Sequence, residues 1–456
     1  MLKIIVAMAT LVSICFAVNQ TLVNLPADSW YQAPNTPMTP VCAPNANGYG
    51  CLEVMAAWSG AAYDPTHRLL IVWGGGHVNS DDNSVYVFSI DSMKWTRLIN
   101  NTGSMSSSDP LANGDPISRH TYGGLAYVTH ANRFFACGGA IAGNGGNTTV
   151  TWTLNVASKA WQNMRPSGTT INSSFTYNTG CAYDPVSKLV AYSDIKGILT
   201  YDYDKNLWTR KMDSQCWDKH LGVMDTKRGI YFAIGAAYNA TDCPKTWIAY
   251  DVRNSKDVTG SWTVTGAPSS LGQVAGDYDT KADCIVAWNG GGPYVLDMNT
   301  KTWTRKNGTG CPANPSPANG GGSTGTYGRF RYVPEENVFI LANSTSENVY
   351  FYKHTAGLGT KSESGRGAQL ATLMLSSNPN PFNPATAISF NLPAASKVSL
   401  SVYDMTGKKV AALMDGTRPE GLNQIAFDAT RHPAGVYVCR LSAGNLQSSM
   451  KLFLMK

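Results

Sequence analysis

Hydrophobic and polar positions repeat in blocks along most of the chain. The clearest block runs Tyr63-Asp64-Pro65, then an apolar stretch Leu69 to Trp73 ending in Gly74-Gly75, then Ser84-Val85-Tyr86-Val87-Phe88, then Lys94-Trp95-Thr96-Arg97. Short apolar runs bounded by turn residues predict strands of four to six residues. The same order recurs at Leu125–Tyr127, Phe134–Gly139, Thr151–Leu154 and Trp161. It returns at Cys181–Asp184, Leu189–Tyr192, Leu199–Tyr201 and Trp208, and at Gly222–Asp225, Ile230–Gly235, Trp247–Tyr250 and Trp262. A fifth copy holds Gly276–Asp279, Cys284–Trp288, Tyr294–Leu296 and Trp303. The sixth, Arg331–Val333, Val338–Leu341 and Val349–Tyr352, lacks its Trp strand, and Ser29-Trp30-Tyr31-Gln32 stands ahead of the first copy to supply it.

Each copy predicts a four-stranded antiparallel meander of about 40 to 65 residues, the size of a propeller blade. The predicted fold class is all-β: a six-bladed β-propeller over residues 20–356, closed by the N-terminal strand, which removes the open sheet edges. The Gly pair after the second strand and the Trp on the fourth resemble kelch repeats. The regular place of Trp30, Trp95, Trp161, Trp208, Trp262 and Trp303 predicts inter-blade core.

Composition fits this reading. Only 14% of the 456 residues are charged, with 44 Gly and 22 Tyr, which excludes coiled coils and charged disordered tails and suits many short strands. The net charge of +6 comes without a basic run, so nucleic acid is not an expected partner. Met1–Ala17 reads as a secretory signal peptide, with Lys3 ahead of an apolar stretch; no transmembrane segment is expected after it. Cys42 and Cys51, flanked by Pro, Asn and Gly, predict a loop disulfide, Cys216 and Cys243 form a second candidate pair, and Cys137, Cys181 and Cys284 sit in apolar strand patterns.

After a linker, assigned to 357–375, period-two alternation resumes in Ala387–Leu392, Val398–Asp404 and Val436–Val438 and predicts a small Ig-like β-sandwich over 376–456. The series Asn378-Pro379-Asn380-Pro381-Phe382-Asn383-Pro384, Val402-Tyr403-Asp404-Met405-Thr406-Gly407-Lys408-Lys409-Val410, Pro433-Ala434-Gly435-Val436-Tyr437-Val438-Cys439-Arg440-Leu441 and the final Lys451–Lys456 closely resembles the C-terminal sorting domain of type IX (Por) secretion cargo. The resemblance implies passage across the outer membrane, with the type IX machinery as a partner, to a secreted or cell-surface location.

Aligning the copies places certain side chains at one mouth of the propeller channel. Glu53 and Trp58 come from the first blade, Arg119, His120 and Tyr122 from the second, Tyr177 and Asn178 from the third. Lys219 and His220 come from the fourth, Gln273 from the fifth, Tyr327 and Arg329 from the sixth, and His77 rises beside Asn79, Asp81 and Asp82. His67 and His130 fall in the opposite turns as plain surface residues. Two kinds of chemistry fit the mouth. Trp58, Tyr177, Lys219, Gln273, Tyr327 and Arg329 suit binding of an extracellular glycan. His120, His77, His220, Tyr122 and Arg119 suit a polysaccharide lyase acting on uronic-acid glycans, with His or Tyr as base and acid and Arg on the carboxylate. A third class is surface adhesion to a protein partner. A divalent metal on the three histidines with Asp81 or Asp82 is compatible with the residue types but has no spacing signature. The copper chemistry of galactose oxidase, the best-known kelch enzyme, is disfavoured because no Tyr-His dipeptide occurs.

Overall fold

The computed structural model describes residues 18–43, 50–56, 58–76, 80–143, 146–171, 179–194, 196–213, 217–237, 247–268, 274–306, 308–312, 325–355, 374–378, 380, 382–392, 395–419, 421–444 and 446–455. The signal-peptide reading, most of the linker and the Cys216–Cys243 pair therefore lie outside the described residues. The chain divides into two compact units, Val18–Gly357 and a C-terminal one beginning at Leu358.

In the first unit the described residues form six principal antiparallel sheets. Sheet one holds Ala61–Asp64, Leu69–Val72, Val85–Ser89 and Lys94–Ile99. Sheet two holds Leu125–Val128, Arg133–Cys137, Thr151–Asn155 and Ala160–Asn163. Sheet three holds Gly180–Asp184, Leu189–Asp194, Gly197–Asp202 and Leu207–Asp213, and gains Ser167–Gly168 as a parallel edge that the sequence pattern did not announce. Sheets four and five run from Trp217–Asp225 to Lys256–Asp257 and from Ala275–Asp279 to Thr302–Arg305. Sheet six holds Phe330–Val333, Val338–Leu341 and Tyr350–Lys353, with Ser29–Gln32 on its edge in the register Ser29↔Lys353, Trp30↔Tyr352. The first strand of each sheet packs on the first strand of the next, and that of sheet six on that of sheet one, so these contacts run in a cycle through the sheets.

The interfaces between sheets are apolar. Trp30 lies 5.0 Å from Tyr352 and 6.1 Å from Trp288. Trp161 packs at 5.0 Å on Trp73 of sheet one, and Trp208 at 6.2 Å on Phe135 of sheet two. Trp262 departs from the expected strand position. It follows a short 3-10 turn, Thr259–Ser261, and reaches the same core from there.

The C-terminal unit has a three-stranded sheet (Met374–Asn378, Ala385–Leu392, Gly421–Asp428) and a four-stranded one (Lys409–Arg418, Ser396–Tyr403, Gly435–Ala443, Leu446–Leu454). Alternate residues of both, among them Ile388, Phe390, Leu400, Val402, Phe427 and Leu441, share one buried core. No described helix is long and apolar enough to cross a membrane.

Candidate functional site

The two ends of the sheet cycle use their polar groups differently. At one end lie the hairpins joining first to second strands. Asp64 there accepts from the N–H groups of Thr66 and His67 at 2.8 and 3.1 Å, Asp225 from Lys227 and Arg228 at 3.0 Å, and Asp279 from Lys281 and Ala282 at 2.9 Å. Neighbouring sheets are then clamped together. Arg253 meets Asp184 at 2.8 Å, and Arg228 meets Asp283 at 2.7 Å. The Arg228 and Lys227 charges hold the Asp283 carboxyl well below the usual carboxylate range. Arg68 of sheet one reaches Glu336 of sheet six, with both side chains fully buried. His130 is more than a surface residue: its ring nitrogens lie 2.7 Å from the Tyr183 hydroxyl and 3.1 Å from Asp204, joining sheets two and three. His67 likewise pairs with Asp64 at 2.6 Å.

The opposite end carries the predicted mouth residues. Trp58, Tyr122 and Tyr327 each stand three residues ahead of a first strand, in sheets one, two and six, which are consecutive in the cycle. Their φ angles are +48°, +48° and +41°, and among the described residues they are the aromatics with positive φ. Such a conformation in a bulky residue costs about 1–3 kcal/mol and persists only where surroundings enforce it. Close backbone approach supplies the enforcement. The Tyr122 N–H donates to the Trp58 carbonyl at 2.7 Å, and the Gly60 N–H to the Thr121 hydroxyl at 2.8 Å. A Cβ on Gly60 would sit 2.3 Å from the Tyr122 carbonyl oxygen. Tyr177 holds the same place ahead of Gly180 but lies outside the described residues, as do His77, Asn178 and Gln273. Lys219 and His220 fall in the first strand of sheet four, without described side chains.

The described aromatics form one chain. Trp58 lies over the His120 ring (centroids 4.8 Å), His120 meets Tyr122 edge-on (5.8 Å), and Tyr122 meets Tyr327 edge-on (5.6 Å). The Tyr122 hydroxyl stands 3.5 Å from His120 Nδ1. Burial is uneven along the chain: His120 and Tyr327 are 1% exposed, whereas Trp58 is half-buried and forms the accessible end. Glu53, placed at the mouth by sequence, is buried in the short helix Glu53–Ala56 that leads toward Trp58. The preceding segment is tied by the Cys42–Cys51 disulfide.

Arg119 and Arg329 are both buried and committed to the protein. Arg119 sits in a short strand paired to Ala140–Ile141, donates to Asp109 at 2.8 Å and to the Ile117 carbonyl at 3.2 Å, and lies over Trp73. Arg329 donates to the carbonyls of Ser59, Ala342, Asn343 and Gly325 at 2.6 to 2.9 Å. Burial lowers its pKa. Asp109, the partner of Arg119, also accepts from the Trp152 indole at 3.1 Å and the Thr148 hydroxyl at 2.8 Å. No sequence signal marked it, because it lies ten residues upstream in irregular chain.

Arg331, on the first strand of sheet six, donates to the Ala61 carbonyl of sheet one at 3.1 Å and stands 4.0 Å from Asp277 of sheet five, whose carboxyl is raised by burial. Among the described residues no group of three or more His, Cys, Asp or Glu is set to hold a metal. A cavity of about 260 Å3, lined by Thr149, Arg165, Thr169 and Trp208 among others, opens between sheets two and three at their outer strands, apart from the mouth residues.

Residues 378–455 match the family model described as the secretion system C-terminal sorting domain. A comparison with curated proteins finds no match. Among solved structures the chain is similar to PorZ, a bacterial surface component of the type-IX secretion system of Porphyromonas gingivalis, at 12% identity over 87% of this chain and 51% of that one, with a TM-score of 0.36. It is also similar to a protein of unknown function from Bacteroides thetaiotaomicron, at 10% identity over 71% of this chain and 75% of that one, with a TM-score of 0.41. The chain thus spans about half the length of PorZ. The sorting domain marks the protein for export by type IX secretion to the cell surface or the extracellular space, and implies interaction with that machinery.

Proposed function

We propose that the first unit, taken as residues 20–356, is a six-bladed kelch-like propeller that recognises an extracellular glycan at the mouth holding Trp58, and that 376–456 is an Ig-like sorting sandwich. One observation carries the glycan reading. At one end of the cycle charged groups are committed to clamping the sheets, while at the other three consecutive sheets each hold a bulky aromatic in a strained backbone conformation. Strain of this kind clusters at ligand clamps and active sites. A half-buried indole suits the apolar face of a sugar ring.

The described residues favour this over the other two classes. A lyase that uses His120 needs it on the substrate, yet Trp58 lies over its ring and it is 1% exposed; His77 and His220, the other histidines of the lyase reading, have no described side chains. An adhesion surface for a protein calls for a contiguous apolar patch, and in the first unit the described exposed large hydrophobics are the separated Met105 and Val186. The test is retention of the full chain on an array of extracellular polysaccharides. Retention that falls about tenfold or more in Trp58→Ala, with folding intact, supports the reading. Retention indifferent to Trp58, or none on any glycan, overturns it.

A further inference from the structure

We infer that the ligand of this mouth is an uncharged sugar ring and not a uronate. The inference rests on the glycan reading above and names the ligand class. Recognition of a carboxylate in a partly desolvated site needs an open guanidinium or ammonium, because an unpaired buried charge is costly. The arginines that the sequence brings here are closed to such a ligand. Arg119 is held by Asp109 and the Ile117 and Gly138 carbonyls. Arg329 is surrounded by carbonyl oxygens from both sides of the sheet-six to sheet-one junction. Arg331, on the first strand that follows, donates to the Ala61 and Gly328 carbonyls.

All three are structural struts. Their removal from the ligand set leaves the half-buried Trp58 ring as the described chemistry of the mouth, since His120 and Tyr122 are buried behind it. An indole face suits a ring with one apolar C–H face. A carboxylate laid on it would lose water without gaining a partner. Lys219, His77 and His220 are predicted mouth residues whose side chains are not described, so a salt series and Lys219→Gln form an arm of the test.

The full chain is titrated calorimetrically with galacturonan, mannuronan and glucuronan oligosaccharides and with their carboxyl-reduced counterparts. Each pair differs only in carboxylate against hydroxymethyl. At least one reduced form should bind about tenfold or more tightly than its parent. Its affinity should change less than about twofold between low and high salt. Binding should fall about tenfold in Trp58→Ala and less in Trp58→Phe, which keeps a smaller aromatic face. A parent uronate that binds more tightly, and weakens at high salt or in Lys219→Gln, overturns the neutral-ligand inference while leaving the glycan reading standing. Failure of every oligosaccharide in both series, together with an empty array, overturns both.

Discussion

Arg329→Met separates a strut from a ligand clamp. The side chain is fully buried and donates to four described carbonyls, one of which, that of Ser59, directly follows Trp58. Methionine keeps the volume and removes every donor. Each buried acceptor left without a partner costs about 1–3 kcal/mol. Relief of burying a cation offsets part of that sum. A net loss of about 3–5 kcal/mol remains, the range for breaking a buried charged network. All 12 tryptophans fall between residues 30 and 303, so tryptophan fluorescence in urea reports the first unit without interference from the sorting domain. With a slope of about 3 kcal/mol per molar, the midpoint should fall by about 1 M or more. Arg329→Lys should recover a minor part, since one ammonium cannot reach four diverging carbonyls. An unchanged midpoint with lost binding of an acidic glycan would refute the reasoning, because it would make Arg329 a ligand contact.

Other expectations follow from the same geometry. Lys353 is buried, donates to the carbonyls of Val23 and Glu336, and is lowered by burial to about 8. Between that value and the ordinary lysine range the unfolded chain binds more protons than the folded one, so this residue makes stability rise with pH. The gain is about 2 kcal/mol by about pH 9.5, and Lys353→Met should flatten the rise in urea midpoints measured across that window. Asp283 and Asp184 have depressed pKa values through Arg228 and Arg253. Their contribution is present above the ordinary aspartate pKa and lost as pH falls below about 4, and Asp283→Asn should weaken the acid dependence of the fluorescence transition. The Cys42–Cys51 bridge closes a loop with a sequence separation of 9. Cys51→Ser, which also removes the bridge, should cost about 2–3 kcal/mol in the same unfolding assay. Trp30→Ala removes the ring that joins the closing strand to Tyr352, Phe330 and Trp288. It should cost about 3–5 kcal/mol, read as a lower midpoint.

Much of the architecture was legible because a repeated strand order reports itself several times over. Ser29–Gln32 announced its pairing by supplying the Trp strand missing from the last copy, and the regular Trp positions proved to be interface core. What the sequence hid was mainly the direction and burial of side chains. His120, Tyr327, Arg119 and Arg329 stand at the predicted end of the cycle, yet they point into the protein. Their partners are backbone carbonyls and Asp109, which carry no motif. The strained placement of Trp58, Tyr122 and Tyr327 had a faint signal, an aromatic three residues ahead of the first strand in sheets one, two and six, but only backbone angles make it visible. Trp262 left its expected strand because the turn at Thr259–Ser261 delivers the ring to the same core by another path.

The most direct test of the mouth as the recognition site is amide hydrogen exchange of the full chain with and without a retained glycan. The account predicts added protection at Gly60, Tyr122, Gly123 and Gly328, whose backbones bracket the three strained aromatics. Protection confined to the hairpins around Asp64, Asp225 and Asp279, at the clamped end, would contradict it.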